Sequence, residues 1–117
     1  MKSYNGEILD IEQLLENVDV PSEAPQAFSL KQNWPNPFNV STLIMYEIPE
    51  SGNVVLKIYN SLGQEVVTLD DGHHEAGHYH IFWNGKDNDG KLVSSGTYLY
   101  KLRAGGQEEA RSMTLVR

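Results

Sequence analysis

Residues 32–42 read Gln-Asn-Trp-Pro-Asn-Pro-Phe-Asn-Val-Ser-Thr, and they stand immediately before a long run of alternating apolar and polar residues. The two prolines fix their own φ angles and push the residues before them, Trp34 and Asn36, towards extended geometry. The stretch is therefore a stiff, non-helical lead-in that carries two aromatic side chains, Trp34 and Phe38. Such a lead-in to a β-rich region indicates a structural role and not a catalytic one.

From Thr42 onward the apolar residues recur with a period of two, which is the period of a half-buried strand. Turn residues such as Gly, Pro, Asn and Asp separate the alternating stretches at 49–52, 60–63, 70–72, 84–91 and 105–106. Six or seven short strands at this spacing predict an all-β fold, an antiparallel β-sandwich of about seven strands with one hydrated face per sheet. The predicted core consists of Ile44, Tyr46, Ile48, Val54, Leu56, Ile58, Val66, Ile81, Trp83, Tyr98, Tyr100, Leu102, Met113 and Leu115.

The segment before the sandwich has a different pattern. Ile8, Ile11, Leu15 and Val18 recur at helical spacing, which predicts a short amphipathic helix over residues 5–19. A disordered acidic tail with the same spacing is the alternative. Pro-Ser-Glu-Ala-Pro-Gln at residues 21–26 has the composition of a linker.

Composition excludes several classes of function. The chain has no cysteine, so a disulfide framework and a thiolate site are both ruled out. The net charge is −7, and no cluster of Lys and Arg offers a surface for nucleic acid. No apolar run approaches the length of a membrane-spanning helix, so direct membrane insertion is not expected.

Four histidines lie close together in the sequence, three of which are candidate metal ligands. His78 and His80 share one face of a predicted strand, and either His74 or Glu75 from the adjoining turn completes a possible Zn²⁺ or Cu²⁺ site. The alternative is an exposed strand with polar residues on its solvent face.

Asp87-Asn88-Asp89-Gly90 resembles the start of a calcium loop, with Asp87 and Asp89 as the oxygen ligands. The spaced glutamate of an EF-hand is missing, and the same residues are typical of a tight turn. No cofactor is predicted. No serine has a nucleophile-elbow context and no glycine-rich phosphate loop precedes a helix, so the sequence does not predict an enzyme.

Several short motifs occur in a fixed order over most of the chain. They are Gln32–Asn39, Ile58-Tyr59-Asn60, Gly63–Val66, Ala76-Gly77, Trp83-Asn84-Gly85, Gly90, Ser95–Tyr100 and Ala104-Gly105. From about Phe28 to Arg117 the sequence is similar to the C-terminal sorting domain (type A) of type IX secretion cargo, an Ig-like sandwich related to that of the flagellar hook-capping protein. Trp34 replaces the usual tyrosine and Val40 a frequent proline, and both replacements keep the local character.

The resemblance implies a non-enzymatic secretion signal. Such a module directs a cargo protein through the type IX outer-membrane translocon. In many relatives a sortase-like protease then removes it, and the cargo is attached to a surface lipopolysaccharide or released. The implied location is secreted or at the cell surface, by way of the periplasm and outer membrane. The implied partners are the translocon, sortase-like components and an N-terminal passenger.

This resemblance divides the chain into two parts. Residues 1–27 are expected to be an acidic helix or linker, the end of a passenger with Met1 as an added start residue, and residues 28–117 the sorting domain. The alternative is a structural Ig-like module for domain packing or self-association at the cell surface.

Two groups of residues are candidates for recognition by the translocon. The lead-in contributes Trp34, Pro35, Asn36, Pro37, Phe38 and Asn39, and the last strand contributes Arg111 and Arg117. At least one of Trp34 and Phe38 is expected to pack on the sandwich. The last strand, residues 111–117, is expected to offer either an unpaired edge for strand addition or simply the final strand of the sheet.

Overall fold

A computed structural model describes residues 24–117, and this range contains seven strands. This range contains no helix, and so none that is long and apolar enough to cross a membrane. The all-β prediction is confirmed, whereas the predicted helix over residues 5–19 lies outside the described residues. The strands are β1 (Ser29–Leu30), β2 (Thr42–Ile48), β3 (Gly52–Tyr59), β4 (Glu65–His74), β5 (Gly77–Trp83), β6 (Gly96–Ala104) and β7 (Gln107–Leu115).

The strands form two antiparallel sheets, as the Ig-like sandwich requires. The three-stranded sheet has the order β1-β2-β5, and the four-stranded sheet has the order β4-β3-β6-β7. The chain passes from one sheet to the other after β2, after β4 and after β5. The hairpins β3–β4 and β6–β7 stay within the four-stranded sheet, where their strands are direct neighbours.

The inward-facing side chains of both sheets form one core, because alternate residues of a strand point to the same face. All predicted core residues except Val66 and Ile81 are buried. Ile81 is half-buried and packs against the core from β5, an outer strand. The core also contains four residues that the alternation did not identify, namely Leu30, Phe38, Val67 and Ala104.

A β-bulge decides which valine of β4 faces the core. Ile58 of β3 lies opposite Val67, but the next residue, Tyr59, lies opposite Glu65, so the register shifts between them. Val66 is the extra residue of this bulge and is only half-buried. The prediction for Val66 is therefore wrong by one position, since simple alternation cannot locate a bulge.

The predicted turn at residues 70–72 is also wrong, because β4 continues through it to His74. Asp70 lies opposite Leu56 in the ladder. Since β4 is an outer strand of its sheet, polar side chains can reach solvent from it. The Asp70 carboxylate is satisfied by the Tyr46 hydroxyl at 2.6 Å and by His74 Nε2 at 2.7 Å.

Candidate recognition site at the C-terminal strand

The lead-in segment, residues 32–40, is a series of bends between β1 and β2. Its first half is fixed by Trp34, which exchanges two backbone hydrogen bonds with Leu43, of 3.0 and 2.8 Å. The Trp34–Pro35 and Asn36–Pro37 peptide bonds are both cis. The expected non-helical lead-in is confirmed, and its second half turns towards β7.

Phe38 forms the main contact between the lead-in segment and β7. Its N–H donates to the Thr114 carbonyl and its own carbonyl accepts from the Val116 N–H, both at 2.9 Å. The Phe38 ring is buried, with its centroid 5.7 Å from that of Trp83. Phe38 is therefore a core residue, and the expectation that at least one of the two aromatics packs on the sandwich is confirmed.

Two side chains of the lead-in segment also bond to the outer edge of β7. Asn36 Oδ1 accepts from the Thr114 N–H at 2.9 Å, and Gln32 Nε2 donates to the Ser112 carbonyl at 2.9 Å. Side-chain amides thus satisfy backbone groups that a neighbouring strand would otherwise pair. The prediction of an unpaired edge along residues 111–117 is wrong at Ser112, Thr114 and Val116, where the lead-in segment occupies the edge.

A buried polar cluster holds the lead-in segment in place. The Asn33 N–H donates to the Tyr100 hydroxyl at 2.8 Å, and Asn33 Nδ2 donates to Thr42 Oγ1 at 2.9 Å. The Tyr100 hydroxyl in turn donates to the Lys31 carbonyl at 2.7 Å. Burial raises the pKa of Tyr100 above its ordinary value, which already lies well above neutral, so the hydroxyl stays protonated and acts as a donor. Sequence reasoning missed Asn33 and Thr42, because no periodicity marks a polar residue as buried.

Arg111 and Arg117 both donate to backbone carbonyls. Arg111 Nε donates to the Leu30 carbonyl at 2.6 Å and so ties β1 to β7. Arg117 donates to the carbonyls of Val93 and Gly85, at 2.6 and 2.9 Å. These acceptors are uncharged carbonyl oxygens, and both arginines remain exposed.

Trp34 faces solvent, with 75% of its surface exposed. It lies opposite Leu43, which in turn lies opposite Phe82 of β5. Since residues opposite one another in antiparallel pairing share a face, these three side chains form a row across the three-stranded sheet. Met45, two residues along β2, belongs to the same outer face. We call Trp34, Leu43, Met45 and Phe82 the outer apolar patch.

The three candidate metal-binding histidines do not converge. His78 and His80 share the outer face of β5, as predicted, and His78 Nδ1 lies 3.2 Å from Glu47 Oε2. His74 instead bonds to Asp70 and packs against the Tyr79 ring, 4.7 Å between centroids. Within residues 24–117, no three His, Asp or Glu side chains lie together in a way that could hold a metal ion.

Asp87 and Asp89 lie in a tight turn. Asp87 Oδ1 accepts from the N–H groups of Asp89 and Lys91, both at 2.9 Å, and Gly90 has a φ of 79°. The Asp87 carboxylate thus stabilises its own turn, as Asp does in an Asx-turn. The turn interpretation of residues 87–90 is confirmed.

The two antiparallel sheets, their crossovers and the shared core define an immunoglobulin-like β-sandwich domain. Residues 40–108 match the family of the FlgD Ig-like domain, and the chain belongs to that family. The residues that join the lead-in segment to the edge of β7, 32–38 and 112–116, lie outside the matched range. The comparison with curated proteins gives no match.

Three solved structures share the fold. Dimeric latent PorU from Porphyromonas gingivalis is 24% identical with a TM-score of 0.63, over 83% of this chain and 10% of PorU. FlgD from P. aeruginosa is 24% identical with a TM-score of 0.52, over 68% of each chain. PorZ, an essential surface component of the type IX secretion system of P. gingivalis, is 16% identical with a TM-score of 0.52, over 85% of this chain and 13% of PorZ.

Proposed function

We propose that residues 28–117 are a non-catalytic C-terminal sorting domain, which directs a cargo protein through the type IX outer-membrane translocon for surface attachment or release. The observation that carries the proposal is the junction between Asn36, Phe38 and the outer edge of β7. This junction brings the Trp-Pro-Asn-Pro-Phe-Asn motif and the end of the domain into one surface. A receptor can then contact the motif and the end of the domain at the same time.

The residues proposed for recognition have two different tasks. Phe38 is buried and holds the surface together, whereas Pro35, Asn36, Pro37 and Asn39 are exposed on it. Arg111 and Arg117, which are also exposed, are the proposed basic residues of the recognition surface. Proposed partners are the translocon, sortase-like components and an N-terminal passenger, and the proposed location is secreted or at the cell surface.

The likeness to PorZ supports this proposal at the level of fold, since PorZ is a component of the type IX secretion system. The FlgD family match supports a second candidate, a structural Ig-like module for domain packing or self-association, because that match does not include the lead-in motif. The two candidates differ in what they require of residues 32–39. Only the sorting function depends on the exposed side chains there.

Export of a reporter tests the proposal. Residues 28–117 are fused behind a signal peptide and a reporter in a host with a type IX system, and surface-bound and released reporter are measured. We expect export of the unmodified fusion, and retention of the reporter in the cell would contradict the function.

Point variants in the same fusion test the recognition surface. Asn39 is exposed and its side chain has no hydrogen bond within residues 24–117, so Asn39→Ala is expected to impair export without changing thermal stability. Asn53→Ala, at an exposed position on β3, is the matched control. Normal export of Asn39→Ala would exclude this residue from recognition. Deleting residues 111–117 is less informative, because it also removes the buried Met113 and Leu115.

A further inference from the structure

The outer apolar patch exposes three large apolar side chains on the outer side of the three-stranded sheet. Besides Trp34, its exposed members are Phe82 at 64% and Met45 at 47%, and Leu43 connects them. Scattered apolar residues are normal on a surface, but a contiguous row across neighbouring strands marks a contact site. A contact site of this kind requires a partner segment with an apolar face.

The chain itself contains a segment of matching character. Ile8, Ile11, Leu15 and Val18 form an apolar stripe at helical spacing in the part of the sequence outside the described residues. At 100° per residue, Glu12, Glu16 and Asp19 fall along one side of that stripe. An amphipathic segment of this kind needs an apolar surface to pack on.

One cationic side chain, that of Lys31, lies beside the patch and can meet this acidic flank. Lys31 lies beside Met45, whose carbonyl accepts the Lys31 N–H at 2.9 Å, and His78 and His80 project from β5 on the same outer face. Glu47 is the acidic residue of this face, and both Lys31, at 4.0 Å, and His78, at 3.2 Å, already lie near it. Residues 1–23 contain six acids and one base, so an acid of this flank can share Lys31 with Glu47.

The chain enters the sheet at a point from which the segment can reach the patch. Ser29 lies opposite Glu47 in antiparallel register, so Phe28 lies beside the end of β2 that carries Ile48. The seven residues of β2 span about 23 Å at the usual rise of a strand. A helix over residues 8–18 is about 16 Å long at the usual helical rise. It therefore fits along the outer face of β2.

We propose that residues 8–18 of this chain lie across the outer apolar patch and shield Trp34, Met45 and Phe82 from water. Trp34 then belongs to an intramolecular interface. The recognition surface proposed above consists of the exposed residues Pro35, Asn36, Pro37, Asn39, Arg111 and Arg117. The inference does not depend on the sorting function, because residues 8–18 are absent from the fusion that tests export.

Tryptophan fluorescence in the full chain tests the proposal. The chain has two tryptophans, of which Trp83 is 1% exposed and Trp34 is in the patch. Acrylamide is expected to quench little emission in the unmodified chain. In Leu15→Asp, which puts a charge into the apolar stripe, the quenched fraction should rise towards the share of one tryptophan in two. Gln13→Asp, on the opposite side of the stripe, should behave like the unmodified chain.

A second pair of variants approaches the contact from the sheet. Met45→Asp is expected to raise quenching as Leu15→Asp does, and the double variant should add nothing further, since both break one contact. Leu62→Asp, at an 81% exposed position on the turn after β3, is the control. Strong quenching in the unmodified chain, or equal quenching in Leu15→Asp and Gln13→Asp, would overturn the proposal. So would shielding that disappears on dilution together with a dimer mass in light scattering, because a second copy would then cover the patch.

Discussion

Asn36 accepts a hydrogen bond from the Thr114 backbone at 2.9 Å across a separation of 78 residues. The bond joins the motif that begins the domain to the strand that ends it. Phe38, two residues further on, bonds to the same strand through its backbone. The lead-in segment is therefore part of the sandwich and covers an edge that would otherwise be open to another strand.

Loss of the Asn36 side chain should weaken this junction. Asn36→Ala leaves the Thr114 N–H without its protein acceptor, so we expect a decrease of about 1 kcal/mol in the free energy of unfolding. Urea denaturation measures this decrease, and amide hydrogen exchange should be faster at Thr114. Asn53→Ala should change neither quantity, and unchanged exchange at Thr114 in Asn36→Ala would contradict the assignment.

Phe38 should contribute to the stability of the fold as a core residue, and not to binding as a surface anchor. It is 1% exposed, so Phe38→Ala is expected to cost about 3 to 5 kcal/mol, from lost transfer energy and from the cavity left beside Trp83. Thermal and urea unfolding measure the loss. Leu62→Ala, at an exposed apolar position, is the control and should have little effect. A similarly small effect of Phe38→Ala would mean that the ring is not packed.

Gly85 should be sensitive to the close approach of Arg117. A Cβ at Gly85 would lie 2.7 Å from Arg117 Nη2, and the residue has a φ of 74°. Gly90 has a φ of 79° with no atom within 4 Å of its Cβ position, so Gly90→Ala isolates the backbone strain of about 1 kcal/mol. Gly85→Ala should lower the free energy of unfolding by about 1 kcal/mol more than Gly90→Ala does, because Arg117 must move and loses hydrogen bonds.

The Arg117→Ala variant separates the two effects at Gly85. In that background Gly85→Ala and Gly90→Ala should have similar effects on the free energy of unfolding, since the close approach is gone. A persistent difference between them would show that another contact is responsible.

Stability should fall in alkaline solution because of Tyr46 and Tyr100. Burial raises the pKa of Tyr46 above its ordinary value of 10.0, and the hydrogen bond to Asp70 raises it further. Burial raises the pKa of Tyr100 as well. Above pH 10 the unfolded chain releases these protons and the folded chain keeps them, so stability is full below this pH and decreases above it.

Urea unfolding at about pH 8 and about pH 11 measures this decrease. In the Tyr46→Phe Tyr100→Phe double variant it should be smaller than in the unmodified chain, because two of the groups that release protons only on unfolding are absent. An equal decrease in both chains would contradict the assignment.

The sandwich itself could be predicted because alternation marks the inward face of each strand. Ile44, Tyr46 and Ile48 are buried for this reason, as are Tyr98 and Tyr100. The wrong predictions occur where pairing with a neighbouring strand decides which residue faces the core or where a strand ends. The bulge beside Tyr59 moves Val67 inward in place of Val66, and pairing with β3 extends β4 through the acidic residues that were expected to form a turn.

The sequence alone determined the period of the strands, the position of most turns and the stiff character of the lead-in segment, since these properties depend on neighbouring residues. Only the tertiary structure decided that Phe38 is buried and Trp34 exposed, that Asn33 bonds to the buried Tyr100 hydroxyl, and that Asn36 and Gln32 take the place of a neighbouring strand at the edge of β7. The physical reason is that these outcomes depend on partners far away in the chain, such as Tyr100, Ser112 and Thr114. No local pattern of residues specifies such partners.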